Sequence, residues 1–282
     1  MKKLVLGALT LVSSLALAAC GSSASKTDSK ATQTDQWDTY VENKSVTIGF
    51  DNTFVPMGFE NKSGDYEGFD IDLANAVFEE YGITVNWQPI SWDLKEQELE
   101  NGTIDLIWNG YSITSERQEK VLFTNPYMKN EQVLITKKSS DITSFAGMKD
   151  KVLGAQSGSA GYETFEANPT VLKDIVANNE ATLYETFTLA FTDLKTDRID
   201  GLLVDRVYAN YYLAQEKELD NYNIIESEFD GENFAAGARL ADKTLVENIN
   251  KAFTKLYETG KFQEISDKWF GEDIATDEVK GN

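Results

Sequence analysis

Histidine is absent from the 282-residue sequence, and Cys20 is the single cysteine. Histidine is the most common general base of enzymes and a frequent zinc ligand, so its absence removes the usual nucleophilic pairs and most transition-metal sites. One cysteine cannot form a disulfide framework within the chain. An enzyme of this composition would depend on carboxylates, lysine or tyrosine, and no metal or cofactor is predicted.

Basic residues are scarce as well. Lysine and arginine total 26 against 47 acidic residues, which gives a formal net charge of −21. Such a chain lacks the basic surface that neutralises phosphates, so no nucleic-acid partner is expected. The length and the 41% hydrophobic content indicate a globular chain with two lobes or domains.

The amino terminus has the pattern of a secretory signal. Lys2 and Lys3 precede the apolar run Leu4–Ala19, which is short for a transmembrane helix. The run ends in the letters LAAC, which resemble the bacterial lipobox. Residues 1–19 are therefore predicted to be removed, and Cys20 to become the lipidated first residue. An ordinary signal with a chance cysteine at the cleavage site is the alternative.

After the signal, residues 20–36 are predicted to be a flexible tether, because small and polar residues dominate there and little apolar surface can be buried. Folded structure is expected from Trp37 onward. From Ser45, short β-branched runs alternate with amphipathic helical patterns, which is typical of an α/β fold. Asp70 is predicted to cap the helix that follows it, and Leu94 and Leu99 to lie on one face of a short helix.

Polar, small and aromatic residues follow the predicted strands at their carboxyl ends, where open α/β sheets bind ligands. These loops are 51–54, 91–92, 109–114, 156–161 and Asp205, with Arg117 one helical turn further. Free backbone N–H groups and an arginine fork bind a carboxylate, an aspartate accepts from an ammonium, and aromatic rings pack against a side chain. The set therefore suits a zwitterion.

Six segments in a fixed order resemble the polar amino-acid-binding proteins of ABC importers, the bacterial solute-binding family 3. They are GFDNTFVPMGF (49–59), GFDIDLA (68–74), the stretch from ISWDLK to TNPY (90–127), LGAQSGSAG (153–161), RIDGLLVD (198–205) and KWFG (268–271). Each motif alone is weak, whereas their joint order is hard to obtain by chance. The resemblance spans about Ser45–Gly271.

The resemblance implies a two-lobed periplasmic-binding-protein-like fold with two hinge crossings, at Val133–Thr136 and after Ile224–Ile225. The expected first lobe comprises 37–133 and the return segment 229–271, the second lobe comprises 134–228, and 272–282 is a tail. The implied role is a non-enzymatic lipoprotein on the outer face of the bacterial cell membrane. It would capture an L-amino acid by lobe closure and deliver it to the permease subunits of an ABC importer. A monomer held to the membrane only by its lipid is expected.

The family's ligand contacts carry over to individual positions. Arg117 matches the residue that binds the ligand α-carboxylate, and Gly110 and Ser112 match positions that contact the α-carboxylate and α-ammonium. Asp205 matches the second-lobe carboxylate that accepts from the α-ammonium. A solvated Arg117, a helix cap at Ser112 and a helix cap at Asp205 are the structural alternatives.

Further matches concern the ligand side chain and the second-lobe loop. Phe54 and Trp92 match the residues that pack against the side chain, although aromatic residues are more often core. Ser159 and Ala160 match the loop whose N–H groups close on the carboxylate. Asp51, Asn109 and Gln156 match the positions that contact the side-chain tip. Trp108 and Tyr111 are bulkier than the residues commonly found at this strand end.

The identity of the amino acid is left as a ranking. Asp51 between two aromatic residues favours a guanidinium or ammonium, so arginine or another basic amino acid comes first. Asn109 and Gln156 would also suit a neutral polar group, which leaves glutamine and cystine as alternatives.

Two other classes of function fit the sequence less simply. A carboxylate-dependent dehydratase on the same fold would need a pair of pocket carboxylates with opposed pKa values, for which Asp51 and Asp205 are candidates. A receptor or adhesin module is the second alternative, and it would need a separate partner to signal across the membrane.

Overall fold

The computed structural model describes residues 34–281. The predicted signal peptide, the lipobox and Cys20 lie outside these residues. Within the described part of the chain, no helix is long and apolar enough to cross a membrane.

Helices and strands alternate along the described chain. The helices are α1 Trp37–Asn43, α2 Phe69–Glu79, α3 Lys95–Glu100, α4 Ser115–Gln118, α5 Ala160–Ala167, α6 Phe187–Lys195, α7 Arg206–Gln215, α8 Lys243–Glu258 and α9 Lys261–Phe270. The strands are β1 Ser45–Phe50, β2 Thr53–Phe54, β3 Gly58–Glu60, β4 Tyr66–Glu67, β5 Thr84–Pro89, β6 Leu106–Ile107, β7 Leu122–Phe123, β8 Met128–Asn130, β9 Gln132–Lys137, β10 Leu153–Gln156, β11 Ala181–Tyr184, β12 Gly201–Asp205, β13 Tyr222–Ile225, β14 Glu232–Phe234 and β15 Gly237–Ala238. The predicted α/β class is confirmed.

Two five-stranded sheets define two lobes. The first has the order β5-β1-β6-β15-β7 and the second the order β11-β10-β12-β9-β13. β1 pairs in parallel with β5 and β6, and β10 pairs in parallel with β11 and β12. The remaining neighbours in each sheet run antiparallel. This mixed arrangement brings the carboxyl ends of the parallel strands of each lobe to the edge that faces the other lobe.

The chain passes between the lobes twice, through the antiparallel ribbon of β8 and β14. β9, which contains the predicted crossing Val133–Thr136, is already a strand of the second sheet. On the return, Phe229 still packs against Phe145 of the second lobe, with ring centroids 5.6 Å apart. The two crossings therefore lie side by side as a hydrogen-bonded pair.

Apolar clusters cover the sheets of both lobes. In α8, Leu245, Ile249, Phe253 and Leu256 are buried on one face, as their helical spacing requires. The residues after α9 also pack on the first lobe, where Val279 is fully buried and Thr276 donates to the carbonyl of Pro126. The segment 272–281 is thus attached along the first lobe.

Two local expectations are wrong. Gly68, not Asp70, is the residue before α2, and Asp70 is a fully buried member of its first turn. Leu94 is 43% exposed whereas Leu99 is buried, because a 3-10 turn over Trp92–Leu94 changes the helical phase before α3 begins.

Candidate functional site

All the residues predicted from the sequence to contact a ligand line one cavity between the lobes. They are Asp51, Phe54, Trp92, Asn109, Gly110, Ser112, Arg117, Gln156, Ser159, Ala160 and Asp205. The cavity has a free volume of about 10 Å³, which is the room needed by a single water molecule. The lobes are therefore closed on each other, and an amino acid would need the side chains around it to move apart.

Several of these residues lie at the carboxyl ends of strands or shortly after them. Asp51 directly follows β1, Asn109 and Gly110 come shortly after β6, and Gln156 and Asp205 are the last residues of β10 and β12. Trp92 opens the 3-10 turn that follows β5. Parallel strands end at one sheet edge, so residues far apart in sequence meet there.

Arg117 is the central cation of the site and is 2% exposed. Its backbone N–H donates to the Thr114 hydroxyl, so Thr114 rather than Ser112 caps α4. The guanidinium donates from Nη1 to the Ser112 carbonyl (3.0 Å), from Nη2 to the Gly158 carbonyl (3.0 Å) and from Nε to Glu163 (3.0 Å). A protein carboxylate from the second lobe therefore balances its charge in this closed form.

Lys95 supplies a second buried cation that no sequence motif singled out. Its Nζ donates to the Gly158 carbonyl at 2.8 Å and lies 3.3 Å from Glu96. Burial and the nearby Arg117 charge lower the pKa of Lys95 to about 8. Because Lys95 lies in the first lobe and Gly158 in the second, this contact holds the lobes together beside Arg117.

A buried carboxylate behind the cavity fixes the orientation of the Gly110 backbone N–H. Its N–H donates to Asp70 Oδ2 at 2.7 Å, and Tyr127 donates to the same oxygen at 2.9 Å. Burial raises the pKa of Asp70 to about 7, although these two hydrogen bonds oppose the shift. The N–H of Gly110 is therefore engaged by the protein, and its carbonyl is the group left to meet a ligand.

Only glycine fits at position 110. Its φ is +56°, and a Cβ there would lie 2.6 Å from the Phe54 ring. Phe54 in turn stacks with Tyr208 of the second lobe at 5.5 Å and lies 5.9 Å from Phe187. The absence of a side chain at Gly110 thus sets the position of an aromatic ring that forms the cavity wall.

The three residues expected at the side-chain tip have different local roles. Asp51 accepts from the N–H and hydroxyl of Thr53 and from Gln156 Nε2. Burial is the main cause of its raised pKa. Asn109 accepts from the Asp51 N–H and lies 3.4 Å from the Gly58 carbonyl, so it braces the loop that carries Asp51.

The second-lobe loop forms the start of α5. Ser159 is the N-cap of this helix and accepts from the Tyr162 N–H at 3.1 Å, while its own N–H donates to the Gln156 carbonyl. Ala160 is the first helical residue, where N–H groups have no acceptor within the helix. The Ala160 N–H is therefore better suited to bind an anion than the N–H of Ser159.

Asp205 occupies the N-cap position of α7 but makes no side-chain cap hydrogen bond. Its Oδ1 accepts instead from Asn130 and Gln132, both at 2.8 Å. Both amides also donate to Glu232 of β14. Burial, and then the Glu232 carboxylate, raise the pKa of Asp205 well above its ordinary value. Glu232 was missed by sequence reasoning because it lies outside the recognised motifs.

The two bulky residues that depart from the family pattern are core residues. Trp108 and Tyr111 are both fully buried. Trp108 packs edge-on against Phe253 at 5.6 Å, and Tyr111 stacks on Phe123 at 5.1 Å. Neither lines the cavity, so their size does not bear directly on the choice of ligand.

Comparison with known proteins matches the chain over residues 46–272 to the bacterial extracellular solute-binding proteins, family 3. A crystal structure of an ABC uptake transporter substrate-binding protein from Streptococcus pneumoniae with bound histidine is 67% identical. It superposes with a TM-score of 0.85 and covers 86% of this chain and 98% of that one.

Curated relatives are more distant. The ABC transporter glutamine-binding protein GlnH of Bacillus subtilis is 30% identical, with 98% of this chain and 100% of the relative covered. The ABC transporter arginine-binding protein 1 of Escherichia coli is 29% identical, with 80% and 91% covered. The relatives thus share the overall chain but carry the names of different amino acids.

Proposed function

Since this chain belongs to the bacterial extracellular solute-binding proteins of family 3, we propose that it captures a polar L-amino acid and presents it to an ABC importer. The observation that carries the proposal is the cavity itself. It has a buried guanidinium, Arg117, in one lobe and a buried carboxylate, Asp205, in the other. Opposite charges on opposite lobes suit the two charged groups of an α-amino acid.

The ligand carboxylate would displace Glu163 from Arg117 and accept from the Ala160 N–H at the start of α5. An arginine fork and a helix N-terminus both favour an anion. The ammonium would donate to Asp205 and to the Gly110 carbonyl, with the Ser112 hydroxyl beside them. Each lobe then contributes a contact that the other lacks, so one molecule has to satisfy both.

L-Histidine is added to the candidate ligands. The sequence ranks arginine or another basic amino acid first, with glutamine and cystine as alternatives, and the 67% identical pneumococcal protein was crystallised with histidine. Asp51 and Gln156 form an acceptor and donor pair beside the Phe54 ring. An imidazole, a guanidinium or an amide could each hydrogen-bond to this pair and pack on the ring.

Thermal unfolding of the purified protein with L-histidine, L-arginine, L-glutamine and L-cystine tests the proposal. A ligand bound only by the folded state stabilises it by about 2.7 kcal/mol at a hundred times its dissociation constant. We expect at least one of the four to raise the melting temperature, with D-enantiomers as controls. No shift with any L-amino acid would refute the binding proposal.

Binding without chemistry is proposed, and a dehydratase is the competing assignment. Asp51 and Asp205 both have raised pKa values, whereas an acid–base pair would need values pushed apart. Incubation with amino acids and cyclohexadienyl acids, followed by product analysis, separates the two. Catalytic turnover that is lost in Asp205→Asn would favour the enzyme.

Ligand capture would proceed by closure of the lobes about the β8–β14 ribbon. In the closed form, Gln156 bonds to Asp51 and Lys95 to Gly158 across the cleft. Because a ligand shifts such an equilibrium only by its differential affinity for the two states, an amino acid held by both lobes favours closure. Small-angle scattering should show contraction on binding. A saturated protein that does not contract would contradict closure while leaving the binding assignment intact.

The protein is proposed to act on the outer face of the cell membrane, attached through lipid on Cys20 and associated with the permease as a monomer. The lipid attachment rests on the LAAC pattern at residues 17–20, and the association with a permease rests on the family. Cys20→Ala should release the protein to the medium or leave it unprocessed. A correctly trimmed chain that stays on the membrane without Cys20 would overturn the lipoprotein assignment.

A further inference from the structure

Two carboxylates share the same pair of amide donors at the base of the second lobe. Asn130 Nδ2 lies 2.8 Å from Asp205 Oδ1 and 2.5 Å from Glu232 Oε1, and Gln132 Nε2 lies 2.8 Å and 2.7 Å from the same two oxygens. The two carboxylates therefore belong to one hydrogen-bonded cluster. Two ionised carboxylates in one such cluster repel each other, which favours the protonated form of Asp205, the more deeply buried of the two.

No cation of the described residues neutralises this pair. Arg206, which begins α7 next to Asp205, is paired with Glu131 and Glu226. Arg117, across the cavity, is paired with Glu163. Lys129 is exposed on β8 beside Asn130, and it forms no ion pair within residues 34–281. The groups in direct contact with the two carboxylates are the neutral amides, which stabilise negative charge but do not cancel it.

The pair connects the cavity to the ribbon between the lobes. Asp205 lines the cavity, whereas Glu232 belongs to β14 and lines a groove on the other side of the pair, together with Asn130 and Arg206. A charge that binds in the cavity beside Asp205 therefore interacts electrostatically with Glu232, which lies on one of the two strands that join the lobes.

We propose that Glu232 completes the ammonium site: beside Glu232, Asp205 holds a proton in the ligand-free protein, and the α-ammonium of the ligand replaces it. The O–H bond of Asp205 breaks, the proton leaves to solvent, and the ionised Asp205, with Glu232 behind it, faces the bound ammonium. This inference rests on the proposed function, since it assigns a partner to Asp205 in the same site. The raised pKa of Asp205, caused by burial and by Glu232, supports it.

The consequence is a defined pH dependence of binding. Below the raised pKa of Asp205, the ligand-free site is protonated and binding has to expel the proton. Affinity therefore falls as pH falls, by up to about tenfold per pH unit for one proton exchanged. Above that pKa, the proton is already absent and the affinity becomes independent of this pair.

Calorimetry in buffers of different ionisation enthalpy measures the protons released per ligand bound. We use L-arginine, L-glutamine and L-histidine as probes between pH 5 and 8, since the first two have no group that titrates in this range. The wild type should release close to one proton in the acidic part of the range, a count set by the single proton on Asp205. Glu232→Gln keeps an acceptor for Asn130 and Gln132 and should release far less. Glu226→Gln, an exposed carboxylate beside Arg206, is the matched control and should behave as the wild type.

Two results would overturn the inference. One is binding by the wild type with no proton release at any pH in the range, which decides the matter even if Glu232→Gln does not fold. The other is equal proton release by the wild type and Glu232→Gln. Failure of all three probes and of L-cystine to bind the wild type would instead refute the proposed function, and this inference with it.

Discussion

Gln156 of the second lobe donates a 2.7 Å hydrogen bond from Nε2 to Asp51 Oδ2 of the first lobe. The same nitrogen also donates to the Glu185 carbonyl at 2.9 Å, and Asp51 Oδ1 is held by Thr53. Two of the three residues expected to contact the tip of the ligand's side chain, Asp51 and Gln156, thus contact each other in the closed cavity. A side chain that enters has to bridge them or take the place of one.

Asp51→Asn should change the preference among amino-acid ligands more than it changes the stability of the fold. The variant loses the negative charge that pairs with a guanidinium, and hydrogen bonds to charged groups contribute about 1.5–3 kcal/mol. Affinity for L-arginine should fall by about tenfold more than affinity for L-glutamine, as measured by calorimetry. Asp65→Asn, at an exposed loop position, is the control. Equal losses for both ligands would show that Asp51 does not contact the side chain.

Arg117→Ala should weaken binding of every amino acid that the wild type binds. The ligand carboxylate would lose its fork of donors, at a cost of at least ~2 kcal/mol, or about thirtyfold in affinity. Arg198→Ala removes an exposed arginine paired with Asp193 and should leave affinity unchanged. An Arg117→Ala protein that is folded and binds as tightly as the wild type would place Arg117 outside the ligand contacts.

Gly110→Ala and Gly82→Ala form a matched pair. Both glycines have positive φ, +56° and +66°, but a Cβ at Gly110 would lie 2.6 Å from Phe54 whereas a Cβ at Gly82 meets nothing within 4 Å. Each substitution should cost about 1 kcal/mol of stability from backbone strain alone. Gly110→Ala should in addition lower the melting temperature further and weaken binding, because Phe54 is displaced. Identical melting curves and affinities for the two variants would contradict this packing argument.

Asp70→Asn should flatten the dependence of stability on pH. The pKa of Asp70 is about 7 in the folded protein against 3.8 as its ordinary value, so the folded state binds a proton that the unfolded state has lost. The contribution of Asp70 is full below the ordinary value and falls by about 1.4 kcal/mol per pH unit as pH rises towards 7. Thermal unfolding from pH 4 to 8 measures the effect. Wild-type and variant curves that stay parallel over this range would show that Asp70 is not protonated in the fold.

The sequence predicted the α/β class and the family, and both are confirmed. Alternating apolar runs and helical patterns are local properties, and loops at strand ends follow directly from them. For this reason Asp51, Asn109, Gln156 and Asp205 could be grouped by their positions along the chain alone. Their assignment as ligand contacts stays a prediction, although the structure places all of them around one cavity.

Local reasoning was weakest where a polar side chain is satisfied by a distant part of the chain. Asp70 was expected to cap α2 because aspartate is common at helix starts. Its carboxylate instead accepts from Gly110, 40 residues away. The caps assigned to Ser112 and Asp205 as alternatives fail similarly, since Thr114 caps α4 and Asp205 bonds to Asn130 and Gln132.

The sequence by itself determined the alternation of strands and helices and which loops follow the strand ends, because these depend on spacing along the chain. Tertiary structure alone decided the partner of each buried charge. Lys95 bonds to Gly158 63 residues away, Arg117 to Glu163 at a separation of 46, and Asn130 to Glu232 at a separation of 102. Burying a charge is costly unless a partner compensates it. The folded arrangement of both lobes, rather than any local motif, supplies those partners.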